Sequence, residues 1–110
     1  MNDATIKAVI NELQIALENR PFGKIFSLSR LTFAIDFRLS DSQYFFLSVE
    51  PSEPRIYLIK RRLRDLEKLS GNPSSLVLFA RKRLSNEILQ SVSIDENERI
   101  VWFLINEQDD

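Results

Sequence analysis

The period of the hydrophobic positions changes several times along the chain, and each change marks an element. Between Asp3 and Arg20, the residues Ile6, Val9, Ile10, Leu13 and Leu17 recur at the spacing of one helical face, with Lys7, Asn11, Glu12 and Glu18 opposite. This predicts an amphipathic helix, N-capped by Asn2 or Asp3 and stopped by Pro21, which cannot donate the next backbone hydrogen bond. From Phe22 the period becomes two. Leu31, Phe33, Ile35, Phe37 and Leu39 alternate with Thr32, Ala34, Asp36 and Arg38, the pattern of a strand buried on one face. Lys24 to Leu28 precedes it across Ser29-Arg30, and Tyr44 to Val49 follows the polar turn Ser40-Asp41-Ser42, giving three strands of an antiparallel meander. Arg55 to Ile59 adds a fourth strand after a bend whose prolines, Pro51 and Pro54, do not belong inside a central strand.

The next stretch, Lys60 to Leu69, carries Leu63, Leu66 and Leu69 at spacing three among Lys60, Arg61, Arg62, Arg64 and Lys68, and fits a short basic helix or a mobile loop equally. Gly71-Asn72-Pro73 then breaks the chain, and Ser74 caps a helix through about Leu84, with Arg81, Lys82 and Arg83 in its last turn, where cations suit the helix dipole. Two strands, Ile88 to Ile94 and Arg99 to Ile105, end the pattern, joined through Asp95-Glu96-Asn97-Glu98. The order predicts a single α+β domain spanning residues 1–110, with a largely antiparallel sheet or sandwich. No internal repeat is visible.

Composition narrows the chemistry. A length of 110 residues supports one core, and 44% hydrophobic with 28% charged residues is a folding composition. Cysteine and histidine are both absent, which excludes disulfides, thiolate nucleophiles, Cys/His zinc sites and every imidazole-based triad. No apolar run approaches the roughly 18–20 residues that cross a bilayer, so no membrane role and a cytosolic location are expected. The isolated Gly23 and Gly71 make no phosphate cradle. Acid–base or nucleophilic chemistry would fall to carboxylates, Lys, Ser or Tyr; Asp36 lies at the polar phase of its strand and is expected to face solvent, and Asp95, Glu96 and Glu98 lack the ligand order and central glycine of a calcium loop. Trp102 and Phe103 read as sheet core rather than as base-stacking platforms.

Charge is segregated along the chain. Residues 1–54 carry 5 basic and 7 acidic side chains, residues 55–83 carry 9 and 2, and residues 84–110 carry 1 and 7. The middle block either forms a solvated surface paired with the acidic carboxyl-terminal third, the commoner case, or a surface for a polyanion such as RNA, where counterion release and bidentate arginine contacts favour binding.

Four short motifs carry a family resemblance. Asp3-Ala4-Thr5-Ile6 with Glu12-Leu13, Arg55-Ile56-Tyr57-Leu58, Leu78-Phe79-Ala80-Arg81-Lys82-Arg83-Leu84 and Glu98-Arg99-Ile100-Val101 resemble, in order and spacing, the amino-terminal domain of the NFACT family. That family includes proteins called fibronectin-binding protein A and the RqcH-type factors of ribosome-associated quality control. The resemblance implies a fold like the amino-terminal domain of formamidopyrimidine-type DNA glycosylases, a β-sandwich with flanking helices. It also implies association with tRNA and with a stalled large ribosomal subunit. Asp3 falls on an acidic position at the start of the family's first helix, Arg99 on the arginine of an Asp-Arg motif in which Glu98 replaces the aspartate, and Arg81 and Lys82 on an Arg-Lys pair; Leu76 stands where Phe is usual. No residue matches the Pro-Glu nucleophile pair of the glycosylases, so no DNA-repair role is expected. Family members are longer, and the chain is expected to be a fragment or a reduced stand-alone form.

The resulting expectation is a non-catalytic RNA-associated module without metal or cofactor. Arg99, Arg81, Lys82, Arg55, Lys60, Arg61, Arg62 and Arg64 are the candidate phosphate contacts, and Asp3 and Glu98 orient that surface. The alternative is a protein-interaction or scaffolding domain, including an adhesin-like fibronectin-binding role, which predicts an exposed apolar patch or an unpaired strand edge. Hydrolase or lyase activity would need an enclosed pocket holding a carboxylate pair.

Overall fold

The structure, a computed structural model, describes residues 3–52, 54–95 and 100–106. In chain order the elements are α1 (Asp3–Leu17), β1 (Arg20–Pro21), β2 (Ile25–Ser29), β3 (Thr32–Ile35), β4 (Gln43–Ser48), β5 (Arg55–Lys60), α2 (Leu63–Leu69), α3 (Ser75–Leu84), β6 (Ile88–Asp95) and β7 (Ile100–Asn106). Two antiparallel sheets result, one of four strands in the order β2-β3-β4-β5 and one of three in the order β1-β6-β7. The predicted α+β architecture is the one observed, with the Lys60–Leu69 alternative resolved as a helix over Leu63–Leu69.

The alternation of β2 to β5 sorts the four-stranded sheet into two apolar faces. Ile25, Ile35, Phe45 and Leu58 form one cross-strand row, and Ser27, Phe33, Leu47 and Ile56 the next, all on the inner face. There they meet Ile10, Leu13 and Leu17 of α1, Val77 of α3, and Leu89 and Val92 of β6. Phe37 packs against Phe22 and Phe45 with ring centroids 4.7 and 6.2 Å apart, and Phe45 reaches Phe103 of β7 at 5.7 Å, joining the two sheets. Burial of this many aliphatic and aromatic side chains is the main stabilising term, roughly 1.5–3 kcal/mol for each one fully removed from water.

The outer face of the same sheet is apolar too, so β3 is buried on both sides rather than one. Phe26, Ala34, Phe46 and Tyr57 make a row across all four strands, and α2 covers part of it by seating Leu66 beside Phe26, Ala34, Tyr44 and Ile59. Leu66 is 1% exposed whereas Leu63 and Leu69 face solvent. Burial raises the Tyr44 phenol above its ordinary value of 10.0, and the nearby carboxylates of Asp36 and Glu67 add to the rise.

Two boundaries and one short strand differ from the sequence pattern for local reasons. Helix α1 stops at Leu17 because Asn19 takes φ 69°, the left-handed conformation that ends many helices; Arg20 and Pro21 then form a two-residue strand against Leu89 and Ile88, where the missing proline donor is tolerated. Strand β3 stops at Ile35 because Arg38 turns left-handed at φ 58°, with its N–H donating to Asp36 Oδ1 at 2.7 Å. Asp36 is therefore half-buried and engaged in a turn, not facing solvent along a strand. Gly23 is required where its N–H donates to the Asp36 carbonyl at 2.6 Å, since a Cβ there would lie 2.8 Å from that oxygen.

Sheet edges are finished unequally. Along β6, beyond the short β1, Val92 donates its N–H to Glu18 Oε2 at 2.9 Å and accepts from Gln14 Nε2 at 2.8 Å, so side chains from the end of α1 and the turn after it take the place of a neighbouring strand. At the β2 edge, Arg81 Nε and Nη2 donate to the Ile25 carbonyl at 3.1 and 2.7 Å, and the Gly71 N–H donates to the Ser27 carbonyl at 3.1 Å. Strand β5 is bracketed by Arg55 and Lys60. Among the described residues β7 ends its sheet, and its seven residues contain neither charge nor proline.

Candidate functional site

The exposed cations of the basic block follow directly from where β5 ends. Lys60 closes the strand opposite Gln43, and the Arg61 N–H donates to the Ser42 carbonyl at 3.0 Å, which fixes the turn into α2. Arg62 then occupies the N-cap, and its carbonyl accepts from Asp65 and Leu66 while its side chain makes no capping bond. Lys60, Arg61, Arg62 and Arg64 are all exposed, and Leu66 anchors them by tying α2 to the sheet. Among the described residues, no carboxylate pairs with Arg62, Arg64 or Lys82.

Helix α3 begins as its sequence predicts, with Ser74 Oγ accepting the Val77 N–H at 3.2 Å. Its last turn presents Lys82 and Arg83 to solvent. The Arg83 guanidinium lies 6.0 Å from the ring centroid of Phe79, which is 62% exposed. Arg81 is different: half-buried, it spends two of its donors on the Ile25 carbonyl and clamps α3 to β2. Both basic helices border β2, α2 through Leu66 on Phe26 and α3 through Arg81, and this brings the Lys60–Arg64 turn and the end of α3 to elements sharing one strand.

Arg55 does not join that group. It opens β5 at the end opposite Lys60, a strand length of about 17 Å away, and its guanidinium lies 5.9 Å from the ring centroid of Phe46. The Asp3 side chain, Glu98 and Arg99 lie outside the described residues.

A cleft of about 420 Å³ opens between the sheets near the start of α1 and is lined by Ile6, Leu47, Ser48, Val49, Pro54, Arg55, Ile56, Ile94 and Val101. Among the described residues its lining contains no carboxylate. Among the described residues no three acidic side chains converge as a metal-binding group, and no helix is long and apolar enough to cross a membrane.

The structure corrects the reading of Trp102. Phe103 faces the core, but Trp102 is 58% exposed, and with Ile100 at 42% and Leu104 at 54% it forms an apolar row on the outer side of β7. The row lies beside Asp95, Ser93 and Ser91 of β6. The continuous apolar run Ile100 to Ile105 concealed this, because both phases of the alternation are hydrophobic and only one can face the core.

The chain matches the family model described as NFACT N-terminal and middle domains over residues 3–110, and it belongs to that family. Among solved structures, it is similar to the N-terminal domain of fibronectin-binding protein PavA from Streptococcus pneumoniae, with a TM-score of 0.78 and 24% identity, over 96% of this chain and 40% of that one. The N-terminal part of the fibronectin/fibrinogen-binding protein from Streptococcus suis, FBPS, matches with a TM-score of 0.77 and 21% identity, over 94% of this chain and 38% of that one. At these identities the likeness is one of fold. The chain spans about two-fifths of the length of these two structures. No curated protein matches it.

Proposed function

We propose that this domain is a non-catalytic RNA-associated module, related to the tRNA- and ribosome-binding work of its family, whose phosphate contacts centre on Lys60, Arg61, Arg62 and Arg64, with Lys82 of α3 as a further contact. The observation that carries this reading is the exposure of four cations in one turn, held by Leu66 and unpaired with acid at Arg62 and Arg64 among the described residues. A solvated face whose charge is neutralised internally would pair these groups with carboxylates. Arg99 belongs to the same proposed set, with Asp3 and Glu98 orienting it, whereas Arg55 stands at the far end of β5 and Arg81 serves by holding α3 to β2.

The test is tRNA binding across a salt series, with a variant carrying Arg61→Glu, Arg62→Glu and Lys82→Glu. Arg81 stays intact in that variant, since its loss would loosen β2. Five phosphate contacts predict a roughly 100–500-fold fall in affinity between 50 and 200 mM salt, and loss of binding in the folded variant. No binding at low salt would overturn the proposal. A second reading, protein–protein interaction, is favoured by the apolar row on β7 and includes the fibronectin-binding role that the names of the two similar proteins suggest.

A further inference from the structure

We infer that Phe79 of α3 is a stacking platform for an unpaired RNA base, with Lys82 placed to take the phosphate of the same nucleotide. This deepens the RNA reading above and rests on it. The Lys60–Arg64 turn supplies charge that any polyanion would satisfy, whereas an aromatic ring with cations beside it selects a single strand, whose bases are open to stack.

Helical geometry sets the face. Val77 is 2% exposed, and Ala80 and Leu84 pack with it against the inner core at the i, i+3 and i+7 positions of one stripe. Two residues on from Val77, at about 100° per residue, Phe79 turns to the far side of the helix, and it is 62% exposed. Lys82 and Arg83, three and four residues later, share that side and are both exposed. The helical rise sets them about 4.5–6 Å along the axis from Phe79, the scale on which a nucleotide separates its base from its phosphate.

The ring is held ready for contact. The Arg83 guanidinium stands over it at 6.0 Å from the centroid, an arrangement that steadies the side chain and adds a second plane on which a base can stack. The helix beneath is already fixed: Ser74 caps its start, and Arg81 ties its last turn to the Ile25 carbonyl through Nε and Nη2. A preformed platform avoids the cost of ordering on binding.

Charge chooses the occupant. The ten residues of α3 include three cations and no acid, and among the described residues no carboxylate pairs with Lys82. The helix dipole accounts for cations at this end; it does not account for an aromatic ring kept in water on the same side. An apolar protein partner covering Phe79 would have to desolvate Lys82 beside it, at a cost recovered only if the partner brings an acid to that point. An unpaired nucleotide brings the apolar base face and the anion together.

Titration of the 110-residue chain with a short uridine oligonucleotide, which has no secondary structure of its own to melt, separates stacking from charge. Phe79→Leu keeps an apolar side chain on the helix and should leave thermal unfolding unchanged, yet bind the oligonucleotide roughly 5–100-fold more weakly with the salt slope of the parent. Lys82→Gln should instead lower that slope by about 0.7. In a Trp102→Phe background, Phe79→Trp should bind at least as tightly as Phe79, with its emission quenched by the oligonucleotide. Unaltered affinity in Phe79→Leu, or a Phe79→Trp emission that saturating oligonucleotide leaves unchanged, overturns the stacking and leaves the phosphate reading standing, as does binding of tRNA without binding of the oligonucleotide. Binding of neither overturns both. Self-association of the RNA-free chain that Phe79→Leu abolishes assigns the face to a second copy and overturns the inference.

Discussion

In the four-stranded sheet, α2 covers part of the outer face, the inner face is packed against α1 and β6, and the β2 edge is bonded by Arg81 and Gly71; in the three-stranded sheet, Ile100, Trp102 and Leu104 on the outer face of β7 are exposed, and no described residue covers them. The same sequence logic, alternation with apolar residues, builds both. The difference lies in what arrives to cover them. A covered sheet converts its apolar residues into stability, whereas an uncovered one keeps them available for association.

Substitutions should separate the two regions by size of effect. Leu13→Ala or Phe45→Ala, each in the covered core, should cost about 3–5 kcal/mol in chemical denaturation. Trp102→Ala, measured in dilute monomer, should stay within about 0.5 kcal/mol of the parent; a loss near the core values would mean that the β7 face is packed and not free. Gly23→Ala should cost about 1–3 kcal/mol, because its Cβ would press on the Asp36 carbonyl at 2.8 Å and shift the open end of the β2–β3 hairpin. Arg81→Met should destabilise by about 1–2 kcal/mol through loss of two charge-assisted bonds to Ile25, while Lys82→Met leaves thermal stability unchanged and weakens tRNA binding. Equal stability losses at the two positions would erase the distinction between the clamp and the exposed cation.

The smallest effect concerns pH. Burial keeps the Tyr44 phenol protonated in the folded state at a pH where the unfolded chain, near 10.0, already ionises. The unfolded state then binds fewer protons, so the stability from this group is complete below pH 10 and falls as pH rises beyond it. Alkaline denaturation of Tyr44→Phe should show a shallower decline than the parent.

Much of the covered region was legible in the sequence because its periods are unambiguous. The helical face of Ile10, Leu13 and Leu17, the Ser74 cap and the meander of strands all follow from spacing and turn chemistry. The burial of Ala34 on the second face was not legible, since a small residue at a polar phase carries no signal until Leu66 closes over it. Two-residue β1 has no period at all; only the partnership with Ile88 and Leu89 makes it a strand. Of the candidate site, the charge run marked Lys60 to Arg64 correctly as exposed, but could not distinguish Arg81, whose neighbours Lys82 and Arg83 are exposed and whose own donors are spoken for by a residue 56 positions away.

The bonds from Gln14 and Glu18 to Val92 join residues 78 and 74 positions apart in the chain. During synthesis α1 leaves the ribosome well before β6, the strand it must lean on. At about 5–20 residues per second, the helix waits roughly 4–15 s with its apolar stripe uncovered. The domain is thus locked by its last strands, and truncation before Val92 should leave a nascent chain that a chaperone recognises by that stripe.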